Sequence, residues 1–161
     1  MRDEMFLALL KRTGILLIIL NCIYESGYSN VLKGKVCFDK DRCFYVQLAI
    51  SEKERTYGLM DKKYLSPKEG MLFCFREEGR HPFWMKNTFI PLDIIWINKE
   101  REIVFIKEKA LPCKEGNCKA IYPDKGAMYV LELNAGVSRK IGLKVGDKMS
   151  LYIYKSGGRE R

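Results

Sequence analysis

Leu92–Lys107 reads LDIIWINKEREIVFIK, and this stretch does most to decide the fold class. Two short apolar or alternating runs, Leu92 to Asn98 and Glu102 to Lys107, are separated by a polar turn from Asn98 to Arg101. Short runs rich in Ile, Val, Trp and Phe and bounded by turn residues are typical of β-strands. The stretch therefore predicts two successive strands.

Comparable runs lie on both sides of this stretch, and they predict strands over Val36 to Phe38, Phe44 to Ile50, Gly70 to Phe75, Phe83 to Met85, Ala127 to Leu133 and Lys148 to Tyr154. Ser51 and Glu54 form a capping box that predicts a short helix from Glu52 to about Met60. A second helical turn is expected from Val137 to Ile141. Many short strands with one or two short helices predict a mostly β fold, α+β at the margin, built as a compact single-domain β-barrel or sandwich.

The 161 residues contain no visible linker or repeat, and the size suits one domain. We expect residues 31–155 to form a single β-rich domain and residues 156–161 to be a disordered tail. Lys and Arg number 29 against 20 Asp and Glu, a net charge of +9, but the charges are dispersed along the sequence. This dispersal favours a solvated surface, and no nucleic-acid partner is expected.

Residues 1–30 have the layout of a signal peptide or membrane anchor. Lys11 and Arg12 precede the apolar run Ile15 to Leu20, which is far shorter than the roughly 20 residues that span a bilayer. Cys22 follows directly, where a lipoprotein carries its lipidated cysteine, although Asn21 stands where such signals usually have a small residue. The segment predicts an extracytoplasmic domain that is secreted or attached to a membrane through this segment.

Two pairs of cysteines flank short polar loops. Cys37 and Cys43 enclose a turn between two predicted strands, and Cys113 and Cys118 enclose a loop with turn-forming residues. Two loop-closing disulfides fit an oxidising compartment. A zinc site made by the four thiolates is the alternative, but the spacings differ from the two-residue knuckles of such sites. Cys74, inside an apolar run, is interpreted as a small buried hydrophobic residue.

Several phrases together resemble a known family: Arg55-x-x-Gly58-Leu59-Met60, Gly70-Met71-Leu72-Phe73, Phe83-Trp84-Met85-Lys86-Asn87-Thr88, Ile90-Pro91-Leu92-Asp93-Ile94, Val130-Leu131-Glu132-Leu133-x-Ala135-Gly136 and Gly142-Leu143-x-x-Gly146-Asp147. They are similar to phrases of the bacterial and archaeal family called domain of unknown function 192. The resemblance runs from about Val36 to Tyr154. It implies a compact β-rich domain behind a signal-like or lipoprotein-like leader, with a cysteine pair in the loop of Cys113 and Cys118. It implies no particular activity.

One segment concentrates polar side chains beside large apolar ones, and it supplies the candidate binding residues Trp84, Lys86, Asn87, Thr88 and Asp93. Lys86 is suited to pair with an anion, and the indole of Trp84 offers a stacking surface. The alternative is structural, with a turn at Asn87 and Thr88. Asp93 lies in an apolar strand, so it must have hydrogen-bond partners or a raised pKa.

These features favour a non-enzymatic envelope module that binds a small molecule, a polymer or a protein. The alternative is an enzyme, hydrolase-like, in which Asp93 and Glu132 share acid and base roles. His81 is the single histidine and is predicted to lie in an exposed loop, which excludes a multi-histidine metal site. The sequence identifies no catalytic residue, metal ligand or cofactor, and the ligand or envelope partner is unknown.

Overall fold

The computed structural model describes residues 32–113 and 118–154. These residues contain seven strands and two short helices. In chain order they are β1 (Lys33–Cys37), β2 (Cys43–Ala49), α1 (Glu52–Tyr57), β3 (Glu69–Gly79), β4 (Leu92–Ile97), β5 (Ile103–Ala110), β6 (Ala127–Asn134), α2 (Val137–Lys140) and β7 (Ser150–Tyr154). The predicted mostly β fold with two short helices is confirmed. The predicted leader, Cys22 and the predicted tail lie outside these ranges.

The strands form one sheet in the order β5-β4-β6-β3-β2-β1-β7. Neighbouring strands are antiparallel except β2 and β3, which are parallel and are connected through α1. Strands β5 and β7 are the two edges, and an isolated bridge between Glu102 and Lys148 brings their beginnings together. The sheet is not closed into a barrel, so the sandwich-like alternative describes it better.

Both faces of the sheet are covered, because the apolar residues form two separate core clusters. Along β4, Leu92, Ile94 and Trp96 belong to the first cluster, whereas Ile95 and Ile97 belong to the second. Successive side chains of a strand point to opposite faces, so the two clusters lie on the two sides of the sheet. Every residue of β4 is buried, and no helix in the described ranges is long and apolar enough to cross a membrane.

The segment Phe83 to Met85 is not a strand, and this prediction was wrong. Phe83 exchanges two backbone hydrogen bonds with Ile121, N to O 3.0 and 2.7 Å, but the pairing extends no further. Beyond it the chain turns, since the amide of Thr88 donates to the carbonyl of Met85 and Asn87 has a φ of 55°. The segment is therefore an ordered loop packed over the first core cluster. Strand β3 also continues to Gly79, beyond the predicted end at Phe75.

Candidate functional site

A pocket of about 210 Å³ lies on the face of the sheet that carries the first core cluster. It is enclosed by α1 and the turn after it, by β3, by the segment of residues 82–88, and by one residue of β6. Its walls carry five aromatic side chains, Tyr57, Phe73, Phe75, Phe83 and Trp84. We call it the aromatic pocket. Its polar lining includes Arg55, Lys86, Thr88 and Glu132.

Helix α1 holds one wall of the pocket in place. The capping box predicted from sequence is formed, because Ser51 Oγ accepts from the amide of Glu54 at 3.2 Å and the Glu54 carboxylate accepts from the amide of Ser51 at 2.8 Å. The helix ends at Gly58, whose φ of 51° is unfavourable for other residues. A Cβ at Gly58 would lie 3.1 Å from Phe73 Cζ, so the glycine allows the helix end to approach this aromatic wall closely.

Arg55 projects from α1 and is half-buried. Its guanidinium donates from Nη1 to the carbonyls of Ile50 and of Cys74, the latter at 3.2 Å, and its Cζ lies 5.2 Å from the centre of the Phe75 ring. Within the described part of the chain it forms no ion pair with a carboxylate. Arg55 is thus fixed in orientation by neutral groups, and the acidic residue that interacts electrostatically with it is the neighbouring Glu54.

Glu132 is the pocket's most unusual residue. It lies in β6 opposite Met71 of β3 and Ile94 of β4, and only 4% of it is exposed. Burial raises the pKa of Glu132 to about 8, and no hydrogen bond within residues 32–113 and 118–154 stabilises the charged form. Every fully occluded polar side-chain atom in these ranges has a partner, so the unpartnered Glu132 carboxyl opens into the pocket that it lines.

The predicted binding residues divide between two places. Trp84, Lys86 and Thr88 line the aromatic pocket; Trp84 is 47% exposed, Lys86 is exposed, and Thr88 is buried with its hydroxyl 3.4 Å from the carbonyl of Lys86. Asn87 forms the turn beside them, and its carbonyl accepts from the amide of Asp61 at 2.9 Å. The structure therefore brings three of the five residues to one pocket and places Asn87 at its edge.

Asp93 lies on the opposite face of the sheet. Its Oδ1 accepts from the amides of Lys109 and Gly136, both at 2.9 Å, and its Oδ2 accepts from the amide and hydroxyl of Ser138 at 2.8 and 2.6 Å. The prediction that this buried carboxylate has partners is confirmed. Because Asp93 pairs with Leu133 in the ladder, one residue beyond Glu132, the two carboxylates point to opposite faces.

Both predicted disulfides are present. Cys37 bonds to Cys43 across the first hairpin, and Cys113 bonds to Cys118. They indicate an oxidising, extracytoplasmic environment, and they leave none of these four thiolates for a metal. Cys74 is the free cysteine of the described residues; it is partly buried, and burial raises the pKa of its thiol to about 11.

Sequence reasoning missed most of the pocket. Arg55, Phe73 and Phe83 occur in the family phrases without an assigned role. Phe75 lies outside those phrases, and no motif marks it. His81 is not a freely exposed loop residue, because its ring stacks on Phe75 with centroids 3.6 Å apart. The signal that was available is the set of family phrases itself, since four of them meet around the aromatic pocket.

The fold and the site define a small disulfide-bonded β domain with an aromatic pocket against its sheet. This chain belongs to the family domain of unknown function 192, described as "Uncharacterized ACR", whose model matches residues 35–151. The resemblance seen in the sequence is confirmed. No curated protein matches the chain.

Two solved structures are similar to this chain. One is a putative transcription regulator from Sinorhizobium meliloti 1021, with 34% identity, a TM-score of 0.68, and coverage of 77% of this chain and 97% of that one. The other is a protein of unknown function from Novosphingobium aromaticivorans DSM 12444, with 31% identity, a TM-score of 0.65, and coverage of 74% and 84%. Both likenesses support the fold.

Proposed function

We propose that this chain is an extracytoplasmic, non-enzymatic binding domain that takes a small molecule in the aromatic pocket. The observation that carries the proposal is the Glu132 carboxyl, buried without a hydrogen-bond partner in the described residues and open to that pocket. Desolvation of a carboxyl group this deeply buried costs free energy, which an apolar residue at this position would avoid. A ligand that forms a hydrogen bond with Glu132 would offset this cost, which accounts for a carboxyl group at this position.

The size and lining of the pocket support a small ligand. Its volume of about 210 Å³ is below the roughly 300–1,000 Å³ of sites for drug-sized molecules. Aromatic walls with a few polar groups are the usual composition of such sites. Lys86 and Trp84 extend from the pocket towards solvent, where they can meet an incoming molecule.

The hydrolase alternative receives no support from the geometry. Asp93 and Glu132 point to opposite faces of the sheet, and the Asp93 carboxylate already accepts four hydrogen bonds. A transcriptional role, the description given for the Sinorhizobium protein, is not part of the proposal, because two disulfides favour a compartment away from the chromosome. We further propose that residues 1–30 direct export or attach the domain to the membrane, with Cys22 as the lipidation candidate.

A ligand screen tests the proposal. The full-length chain is mixed with a library of amino acids, organic acids, amines, sugars and nucleosides, and the midpoint of thermal unfolding and the tryptophan fluorescence are followed. The chain has two tryptophans. Trp84 lines the pocket, whereas Trp96 is fully buried and packs against Phe83 of the pocket wall, so the emission change that is lost in Trp84→Ala is the one that reports on Trp84.

We expect at least one compound to raise the unfolding midpoint of the wild-type chain. In Trp84→Ala and Glu132→Gln its affinity should fall by about tenfold or more, equivalent to about 1.4 kcal/mol. Tyr45→Ala is the matched control, because Tyr45 is as exposed as Trp84, 56% against 47%, and is not part of the pocket. A library without any binder, or binding that survives both pocket substitutions, would contradict the proposal.

A further inference from the structure

We infer that the ligand is a small amphoteric molecule of the amino-acid type, with its ammonium group at Glu132 and its carboxylate at Arg55 and Lys86. This inference rests on the proposed function and gives it a chemical class. It depends on three groups of the pocket whose interactions are incomplete within the described residues: one buried carboxyl and two basic side chains.

The Glu132 end of the pocket is suited to an ammonium group. A carboxylate accepts hydrogen bonds from an ammonium in the charge-assisted geometry that is strongest in a poorly solvated site. Phe73, Phe75 and Phe83 line the same pocket, and aromatic faces attract cations. When such a cation binds, Glu132 must give up its proton to the solvent, and the ligand retains its positive charge.

The basic groups supply the other end. Arg55 and Lys86 form no ion pair with a carboxylate of the described chain, and Glu52 is the one further charged residue in the lining. Burial is the sole cause of the raised pKa of Glu132, with no offsetting contribution from either cation. Neither cation forms an ion pair with Glu132 within the described residues, so all three groups are available to a ligand.

Molecules with one charged group fit this arrangement less well. A simple amine satisfies Glu132 but is repelled by the two cations, whereas a simple carboxylate satisfies the cations and leaves Glu132 without a partner. A molecule that carries both groups on a short apolar spacer satisfies all three. The spacer would contact the phenyl rings between the two ends.

The experiment uses ω-aminocarboxylates of increasing chain length as probes, with the alkylamine and the alkylcarboxylate of each length for comparison. Binding to the full-length chain is measured by isothermal titration calorimetry at pH 7 in buffers of different ionisation enthalpy, which gives the number of protons released. Glu52, Arg55, Tyr57 and Lys86 are the other titratable groups in the lining, so the release is measured in variants as well.

We expect at least one aminocarboxylate to bind about tenfold or more tightly than both of its single-charge analogues. Its binding should release most of one proton, because Glu132 is largely protonated at pH 7. In Glu132→Gln this release should disappear together with the preference for the amine. Lys86→Gln should weaken the carboxylate preference, whereas Lys125→Gln, an exposed lysine outside the pocket lining, should not.

The outcomes separate the ligand class from the proposed function. If alkylcarboxylates bind as tightly as aminocarboxylates without proton release, and Trp84→Ala abolishes this binding, the amphoteric class is wrong and the pocket remains a binding site. If no probe binds, the amphoteric class is also wrong, and the library screen described above tests the proposed function separately.

Discussion

Asp93 and Ser138, 45 residues apart in the chain, are joined by two hydrogen bonds to one carboxylate oxygen, from the Ser138 amide at 2.8 Å and its hydroxyl at 2.6 Å. Both residues are fully buried. The same carboxylate accepts from the amide of Gly136, at the N-cap of α2, and from the amide of Lys109 in β5. Asp93 therefore ties α2 and β5 to β4, and its role is structural.

Asp93→Asn should destabilise the fold without changing the pocket. The asparagine side chain has the size of the carboxylate, but its NH₂ group is a hydrogen-bond donor that would face the N–H and O–H donors around position 93. The loss of charge-assisted hydrogen bonds in a buried site should cost about 3 kcal/mol of stability. The free energy of unfolding is measured in urea. Ser138→Ala removes the hydroxyl bond alone and should cost about 1 kcal/mol. A cost below about 0.5 kcal/mol for Asp93→Asn, the range of ordinary surface changes, would show that this network is unimportant.

Local features of the fold were predictable, and the pairing of distant strands was not. The capping box at Ser51 and the two disulfide loops involve residues close in sequence, so their interactions could be inferred from spacing. Asp93 and Glu132 both fall within strands that the sequence predicts. Which face each occupies depends on the register of β4 with β6, and a shift of one residue would reverse it.

The aromatic pocket could not be predicted from the sequence for the same reason. Arg55, Phe73 and Glu132 come from α1, β3 and β6, and only long-range packing brings them to one site. The apolar composition of Phe83 to Met85 predicts a strand, but the segment is a loop. Its side chains are apolar because the loop packs over the core, with Met85 3% exposed, and composition alone does not separate these cases.

Glu132 should make stability fall as the pH rises. Its pKa is raised in the folded state to about 8, above the ordinary value of 4.5 that it regains on unfolding. Its contribution to the free energy of unfolding is therefore greatest below pH 4.5 and is lost progressively up to about pH 8, because the unfolded state releases the proton first. Urea titrations at pH 5 and pH 8 should show a larger decrease in the wild-type chain than in Glu132→Gln. Equal decreases in both would show that Glu132 is not the group responsible.

The disulfide between Cys113 and Cys118 should contribute measurably to stability. A bridge that closes so short a loop restricts the unfolded chain by an amount worth about 2 kcal/mol. The double substitution of both cysteines by alanine should lower the free energy of unfolding by this amount under oxidising conditions. In a reducing buffer that opens the bridges the difference between the two proteins should vanish; a difference that persists there would assign the effect to packing instead.

Gly58 should be needed for the shape of the aromatic pocket. Its φ of 51° and ψ of −131° disfavour any residue with a Cβ, and the added atom would meet Phe73 Cζ at 3.1 Å. Gly58→Ala should therefore cost about 1–3 kcal/mol of stability and also weaken ligand binding by displacing the aromatic wall.

Gly142→Ala is the matched control, because Gly142 also has a positive φ, 67°, but has open space around its Cβ position. We expect the control to lose stability and keep the affinity of the wild-type chain, since its backbone strain lies away from the pocket. If both variants bind equally well, the close approach of Gly58 to Phe73 serves the fold alone.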